Sequence, residues 1–193
     1  MVINKWIIVI LFSYYGSAFA QSEEMEIAVC TKIKSLSKEQ RMSYFPFSET
    51  ATIKIVVFKN KNIGGDGEDL MKHIDSIHLK QDFFNAAYYD EVATLKPSQI
   101  NQLTDIFFNY GYRNEQGIIS VEACYMPRNV IFFLDKSNKI IAYLELCFAC
   151  NNYRVSNNEI DLGHCRKKMD LIKTIFSDHK IKYGIEDTYR ITN

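Results

Sequence analysis

Four of the five cysteines in this 193-residue chain fall between positions 124 and 165, and one of its four histidines lies among them. The stretch reads Cys124-Tyr125-Met126-Pro127-Arg128, then two apolar runs, then Cys147-Phe148-Ala149-Cys150, and finally His164-Cys165. No other feature constrains the fold as much. Disulfides, a metal ion or a redox pair would each force separate segments of backbone to meet at one place. Which chemistry applies depends first on the compartment.

The N-terminus speaks to that. Met1 to Lys5 is a short segment with one positive charge, Trp6 to Tyr15 is apolar, and Ala18-Phe19-Ala20 has the small-x-small form of a signal-peptidase site. The apolar run is too short to span roughly 30 Å of hydrocarbon, so a cleaved leader over 1–20 is the expectation rather than an anchor. The mature chain is then expected to start at Gln21 and to form a single globular domain over 21–193, located in the periplasm or outside the cell. An oxidising environment favours disulfides over free thiols. Five cysteines cannot all pair within one chain, so at least one is a thiol, a metal ligand or a link to another molecule.

Charge excludes some partners. The chain has 23 Lys+Arg against 23 Asp+Glu, and loss of Lys5 with the leader leaves a balance of −1. Phosphate backbones need a basic patch and none is visible, so nucleic acid is excluded as a partner. No basic amphipathic stretch suggests a membrane surface. Nor is there a Gly-x-Ser-x-Gly elbow or a His-Glu-x-x-His helix, which leans the reading away from an enzyme.

Periodicity predicts the elements. Met25, Val29, Ile33 and Leu36 recur at helical spacing over 22–36, with Cys30 beside the stripe as a half-buried small residue. Ser37-Lys38-Glu39-Gln40 has the capping-box form and starts a short helical turn. Residues 51–58 alternate as a strand, with Ile53, Ile55 and Val57 on one face. Gly64-Gly65-Asp66-Gly67 reads as a surface turn, lacking both the Lys-Ser/Thr of a P-loop and the spaced acids of a calcium loop. A helix over 68–78 puts Leu70, Ile74 and Ile77 on one side, and His73 and His78 are spaced too far to share a metal there. A strand around 91–95 precedes a helix over 97–110, opened by Pro97 and closed by Gly111 as a left-handed cap.

Residues 118–123 read as a strand, followed by a hairpin of 129–135 and 140–148 around Lys136-Ser137-Asn138. If Asp135 faces Lys139, opposed positions sum to 274, and Val130, Phe132 and Leu134 share a core face with Ile140, Ala142, Leu144 and Leu146. Extending that register past Pro127 sets Cys124 opposite Cys150 and turns Cys147 to the other face. Asp161 is expected to cap a last helix over 162–178 whose stripe includes Leu162, Cys165, Met169, Ile172 and Phe176. The tail from 181 is expected to be polar and loosely held.

Together these elements predict an α+β fold: a small antiparallel sheet of about four strands with helices 97–110 and 163–178 packed on one face. Three chemistries remain open for the cysteines. The compartment favours one or two disulfides among Cys124, Cys147, Cys150 and Cys165. A zinc-like ion held by Cys147, Cys150, His164 and Cys165 is the second, and thiol exchange at Cys147-x2-Cys150 the third, although no helix starts after that motif. Glu122 and Glu145 read as solvated carboxylates on neighbouring strands, and Arg128 is a candidate to bind an anion. No cofactor is otherwise implied. The expectation is a non-enzymatic exported module of inhibitor, immunity or envelope-associated type that binds a protein or small molecule. The alternative is a metal-binding or thiol-redox protein built on the cysteine cluster.

Overall fold

A computed structural model describes residues 28–59, 68–80, 83–113 and 124–185. The expected turn at 62–67, the expected strand at 118–123, Glu122 and the expected leader over 1–20 lie outside the described residues.

Strand β1 (Cys30–Lys32) is the first element of the described residues, where the periodicity predicts a helix. That expectation is corrected. Val29 and Ile33 are large and exposed, so their spacing marks no buried stripe. The segment is instead held by pairing with β4 (Tyr110–Tyr112), Cys30 opposite Tyr112. Helix α1 (Lys38–Met42) has the expected capping box: Ser37 Oγ accepts from the Gln40 N–H, and the Gln40 side chain accepts from the Ser37 N–H. Strand β2 (Thr52–Val57), helix α2 (Glu68–Lys80), a short turn of 3₁₀-helix at Ala86–Tyr88 and strand β3 (Glu91–Thr94) follow. Helix α3 (Pro97–Asn109) runs directly into β4. Gly111 therefore serves no left-handed cap. A Cβ there would come within 2.8 Å of Cδ1 of Ile33, the end of an exposed side chain that would have to shift.

The hairpin of β5 (Asn129–Leu134) and β6 (Ile140–Cys147) forms the centre of the larger sheet. Its turn matches expectation, since Asn138 takes φ 69° and the Asp135 N–H bonds the Lys139 carbonyl at 3.0 Å. Beyond the turn a β-bulge at Phe133/Leu134 shifts the register by one. Leu134 opposes Ile140, but Phe133 opposes Ala142 and Ile131 opposes Leu144. Strand β7 (Asn152–Val155) completes the order β3-β2-β5-β6-β7, antiparallel throughout. Helix α4 (Arg166–Asp178) closes the described chain.

Helices cover both faces of this five-stranded sheet, not one. Ile53, Ile55, Val57, Ile131, Phe133, Ala142, Leu144 and Leu146 pack under α3 and α4, meeting Leu103, Ile106, Met169, Ile172 and Phe176. Val56, Val130, Phe132, Leu134 and Tyr143 face Leu70, Ile74 and Ile77 of α2. All six residues of β5 are buried as a result. Alternation cannot identify an inner face in a strand that has two. The even positions expected to share one core are therefore split between two, with Val130, Phe132 and Leu134 on the α2 side and Ala142, Leu144 and Leu146 on the other.

Two corrections concern the C-terminal part. Helix α4 is capped by Cys165, whose sulfur accepts from the Lys168 N–H at 3.3 Å, while Asp161 accepts instead from Gly163 N–H and Tyr153 O–H, each at 2.7 Å. Ile181 and Ile185 are buried in the α3/α4 core, so the tail is anchored at least to 185. Gly184 has φ +78°, and a Cβ there would lie 2.3 Å from Asn129 Oδ1, so only glycine fits against the start of β5.

Candidate functional site

The cysteine-rich region is built on one end of β6. Residues 124–128 carry no regular secondary structure and lie along that strand. The Arg128 N–H bonds the Leu146 carbonyl at 3.3 Å, the Met126 N–H reaches Cys147 Sγ at 3.3 Å, and the Tyr125 hydroxyl donates to Glu145 Oε2 at 2.7 Å. Cys124 and Cys150 form a disulfide with Cα atoms 5.6 Å apart, tying this segment to the turn between β6 and β7. A second bridge joins Cys30 to Cys165, Cα atoms 5.7 Å apart, and so fastens β1 to the N-terminus of α4. Cys147 keeps its thiol and is buried.

Glu145 overturns its expected exposure. It sits at 0% exposure on the α2 side of the sheet, the one acid in the run Ile140 to Cys147. A buried carboxylate needs a cation and hydrogen bonds to offset its lost hydration. Arg154 of β7 supplies the first through a short Nε contact to Glu145 Oε2, and Tyr125 supplies the second. Among the described residues Glu145 Oε1 has no hydrogen-bond partner. Arg154 also reaches Asp75 Oδ1 at 3.2 Å and the Met71 carbonyl at 3.5 Å, so the same guanidinium clamps α2 to the sheet. Burial raises the Tyr125 hydroxyl pKa well above its ordinary value, and the Glu145 charge beside it raises it further. For Arg154, burial opposes the charged form, but the Glu145 carboxylate more than compensates and the guanidinium is held more firmly protonated. Tyr125 and Arg154 carry no motif in the sequence. A lone acid inside an apolar strand was the signal that could have pointed to them.

The four residues expected to hold a zinc-like ion do not form a set. Cys150 and Cys165 belong to different bridges, and among the described residues no three His, Cys, Asp or Glu side chains are placed to hold a metal. His164 adopts φ 48°, packs its ring 5.3 Å from that of Tyr153, and accepts the Tyr112 hydroxyl on its carbonyl at 3.1 Å. Arg128 places its guanidinium 5.4 Å from the Tyr183 ring centroid, a cation–π contact. His73 donates or accepts at the Tyr89 hydroxyl, 3.2 Å away, and is surrounded by the rings of Phe58, Tyr88 and Tyr89.

Burial pushes the Cys147 thiol pKa up. The backbone N–H groups of Met126, Cys150 and Ala149 and the charge of Arg128 pull it down, but by less. Burial therefore favours the protonated thiol, which accepts a hydrogen bond from the Met126 N–H. Farther along β6, past the end of β7, an open cleft of about 530 Å³ is lined by Phe45, Ile77, Lys139, Ile141, Tyr143 and Ser156, among others. Its rim mixes apolar, hydroxyl and charged side chains, the composition that orients a bound group. No helix of the described residues is long and apolar enough to cross a membrane.

No family model, curated protein or solved structure matches this chain.

Proposed function

We propose that the chain is an exported, non-enzymatic binding module, with the cleft beside β6 as its recognition surface. One observation carries this reading: two disulfides, one spanning 135 positions, fasten β1 to α4 and the 124–128 segment to the turn between β6 and β7. Bridges of this kind persist in oxidising compartments, in agreement with the leader-like segment over 1–20. They also rigidify a scaffold, which lowers the ordering cost of binding. The cleft volume lies within the roughly 300–1,000 Å³ of small-ligand sites, and an extended side chain of a protein partner would fit there equally well.

The test is processing and thiol state together. The full chain is expressed with its own leader in a bacterial host, fractionated, sequenced from its N-terminus and weighed intact before and after alkylation. A periplasmic product starting at Gln21, with one alkylatable thiol after denaturation, is expected. A cytosolic product retaining Met1 and five free thiols overturns the reading. One observation favours a second reading, thiol chemistry: the buried Cys147 thiol accepts from the N–H of Met126, two residues from the bridged Cys124. Insulin reduction by dithiothreitol separates the two, since a binding module leaves its rate unchanged and a redox protein accelerates it.

A further inference from the structure

Cys147 is enclosed by the two backbones that the neighbouring bridge joins. On one side its sulfur accepts from the N–H of Met126, two residues beyond Cys124. On the other, the N–H groups of Ala149 and Cys150 lie close enough to favour its thiolate. The third sulfur is thus bracketed by backbone groups from both sides of a disulfide whose two ends differ sharply: Cys124 is exposed, whereas Cys150 is fully buried. Nothing in a purely structural bridge calls for that arrangement.

We propose that Cys147 is an internal exchange partner for this bridge, converting Cys124–Cys150 into Cys147–Cys150 and releasing Cys124 as an exposed thiol. The Cys147 thiolate attacks Cys150 Sγ, the Cys147–Cys150 bond forms and the Cys124–Cys150 bond breaks. The electron pair leaves on Cys124 Sγ, which takes up a proton equivalent to the one Cys147 gave to solvent. Nothing is oxidised or reduced overall, so no co-reactant is needed. The direction follows from the leaving group, because a solvated thiolate departs more readily than a buried one. Attack on Cys124 Sγ would instead expel the Cys150 thiolate into the core. The backbone N–H groups around Cys147 compensate the nucleophile for lost water, as such concave donor sets do for anions. Burial keeps the resting thiol protonated, so exchange waits on local opening. Residues 124–128 lie outside any helix or strand, and opening there requires release of the Met126 N–H from Cys147 and of the Tyr125 hydroxyl from Glu145. The chain thereby carries a concealed thiol that it can present at its surface, a site for mixed-disulfide formation.

The experiment uses the oxidised full-length mature chain without denaturant. It is incubated with iodoacetamide, quenched and digested with trypsin unreduced. Cys124 falls in the peptide 114–128 and both Cys147 and Cys150 fall in the peptide 140–154, so mass spectrometry distinguishes the isomers. Expected is an acetamide group on Cys124, with peptide 140–154 released alone and lighter by the two hydrogens lost in its internal bridge. Label on Cys147 with the two peptides still joined overturns the proposal, as do label on Cys150 and no label at all. So does labelling of Cys124 that persists in Cys147→Ser. A second variant tests proximity directly. In Cys124→Ser, oxidised glutathione should close Cys147 onto Cys150, and two thiols that stay free or each take up glutathione refute the exchange.

Discussion

Removal of the long bridge is the most demanding test of how this fold is held. In Cys30→Ala/Cys165→Ser the serine keeps a capping oxygen for the Lys168 N–H, so helix initiation is not disturbed along with the crosslink. The bridge spans 135 positions, and the inner bridge already removes 26 of them from the loop. A loop of about 110 residues gives roughly 4.8 kcal/mol at 25 °C from lost chain entropy in the unfolded state. The same relation for Cys124→Ser/Cys150→Ala, with a loop of about 27 residues, gives roughly 3.5 kcal/mol. The long bridge should therefore cost about 1 kcal/mol more than the short one, although both have similar Cα separations.

Urea unfolding followed by circular dichroism measures this. The chain's single tryptophan is Trp6, so a form beginning at Gln21 offers no indole signal. With a slope of about 2 kcal/mol/M the midpoint should fall by roughly 2.4 M without the long bridge and 1.8 M without the short one. A long-bridge variant losing less than about 1 kcal/mol, or clearly less than the short-bridge variant, would refute the loop-closure reasoning. It would mean that β1 pairing with β4 holds the N-terminal strand unaided.

Two further outcomes follow from the buried charges and rings. Arg154→Met should cost about 3–5 kcal/mol by stranding the Glu145 carboxylate at 0% exposure, and adding Glu145→Leu should recover most of it in the same urea assay. Burial lowers the His73 pKa below 6.5, so between the folded and unfolded values the unfolded chain binds more protons. Stability should then fall as pH drops from about 7 through the folded His73 value, and His73→Phe should flatten that part of the profile, measured as urea midpoints against pH.

Elements with one apolar face were legible in the sequence, and elements with two were not. Helix α3 and the face of β2 carrying Ile53, Ile55 and Val57 follow from period alone, because the opposite side of each is more polar. Ser37 to Gln40 was legible because capping is a contact within four residues. The strand at Cys30–Lys32 was not, since its partners Tyr110 to Tyr112 lie some eighty positions away and its own apolar residues include exposed ones. Second-face burial hid Glu145 in the same way. A glutamate at an odd position of β6 reads as solvated until α2, from residues 68–80, is known to cover it.

The cysteines separate a correct pair from a faulty route to it. Opposed positions summing to 274 bring Cys124 to Cys150, and the structure joins those two residues, yet the ladder that should carry the register does not run so far. The bulge moves the sum to 275 from Phe133 back to Asn129, which would set Cys124 against Asn151. Residues 124–128 leave the ladder before that pairing can form, and Cys150 lies in the turn after β6 rather than in the strand. Freed from strand geometry at both ends, the two Cα atoms reach 5.6 Å on their own. Cys147, still within β6, keeps its ladder position and turns its side chain to the α2 side with Glu145. The bridge therefore closes at the end of the sheet and leaves the third sulfur behind it. That offset, one residue inside the ladder and two outside it, leaves the free Cys147 thiol beside the Met126 backbone, two residues from Cys124.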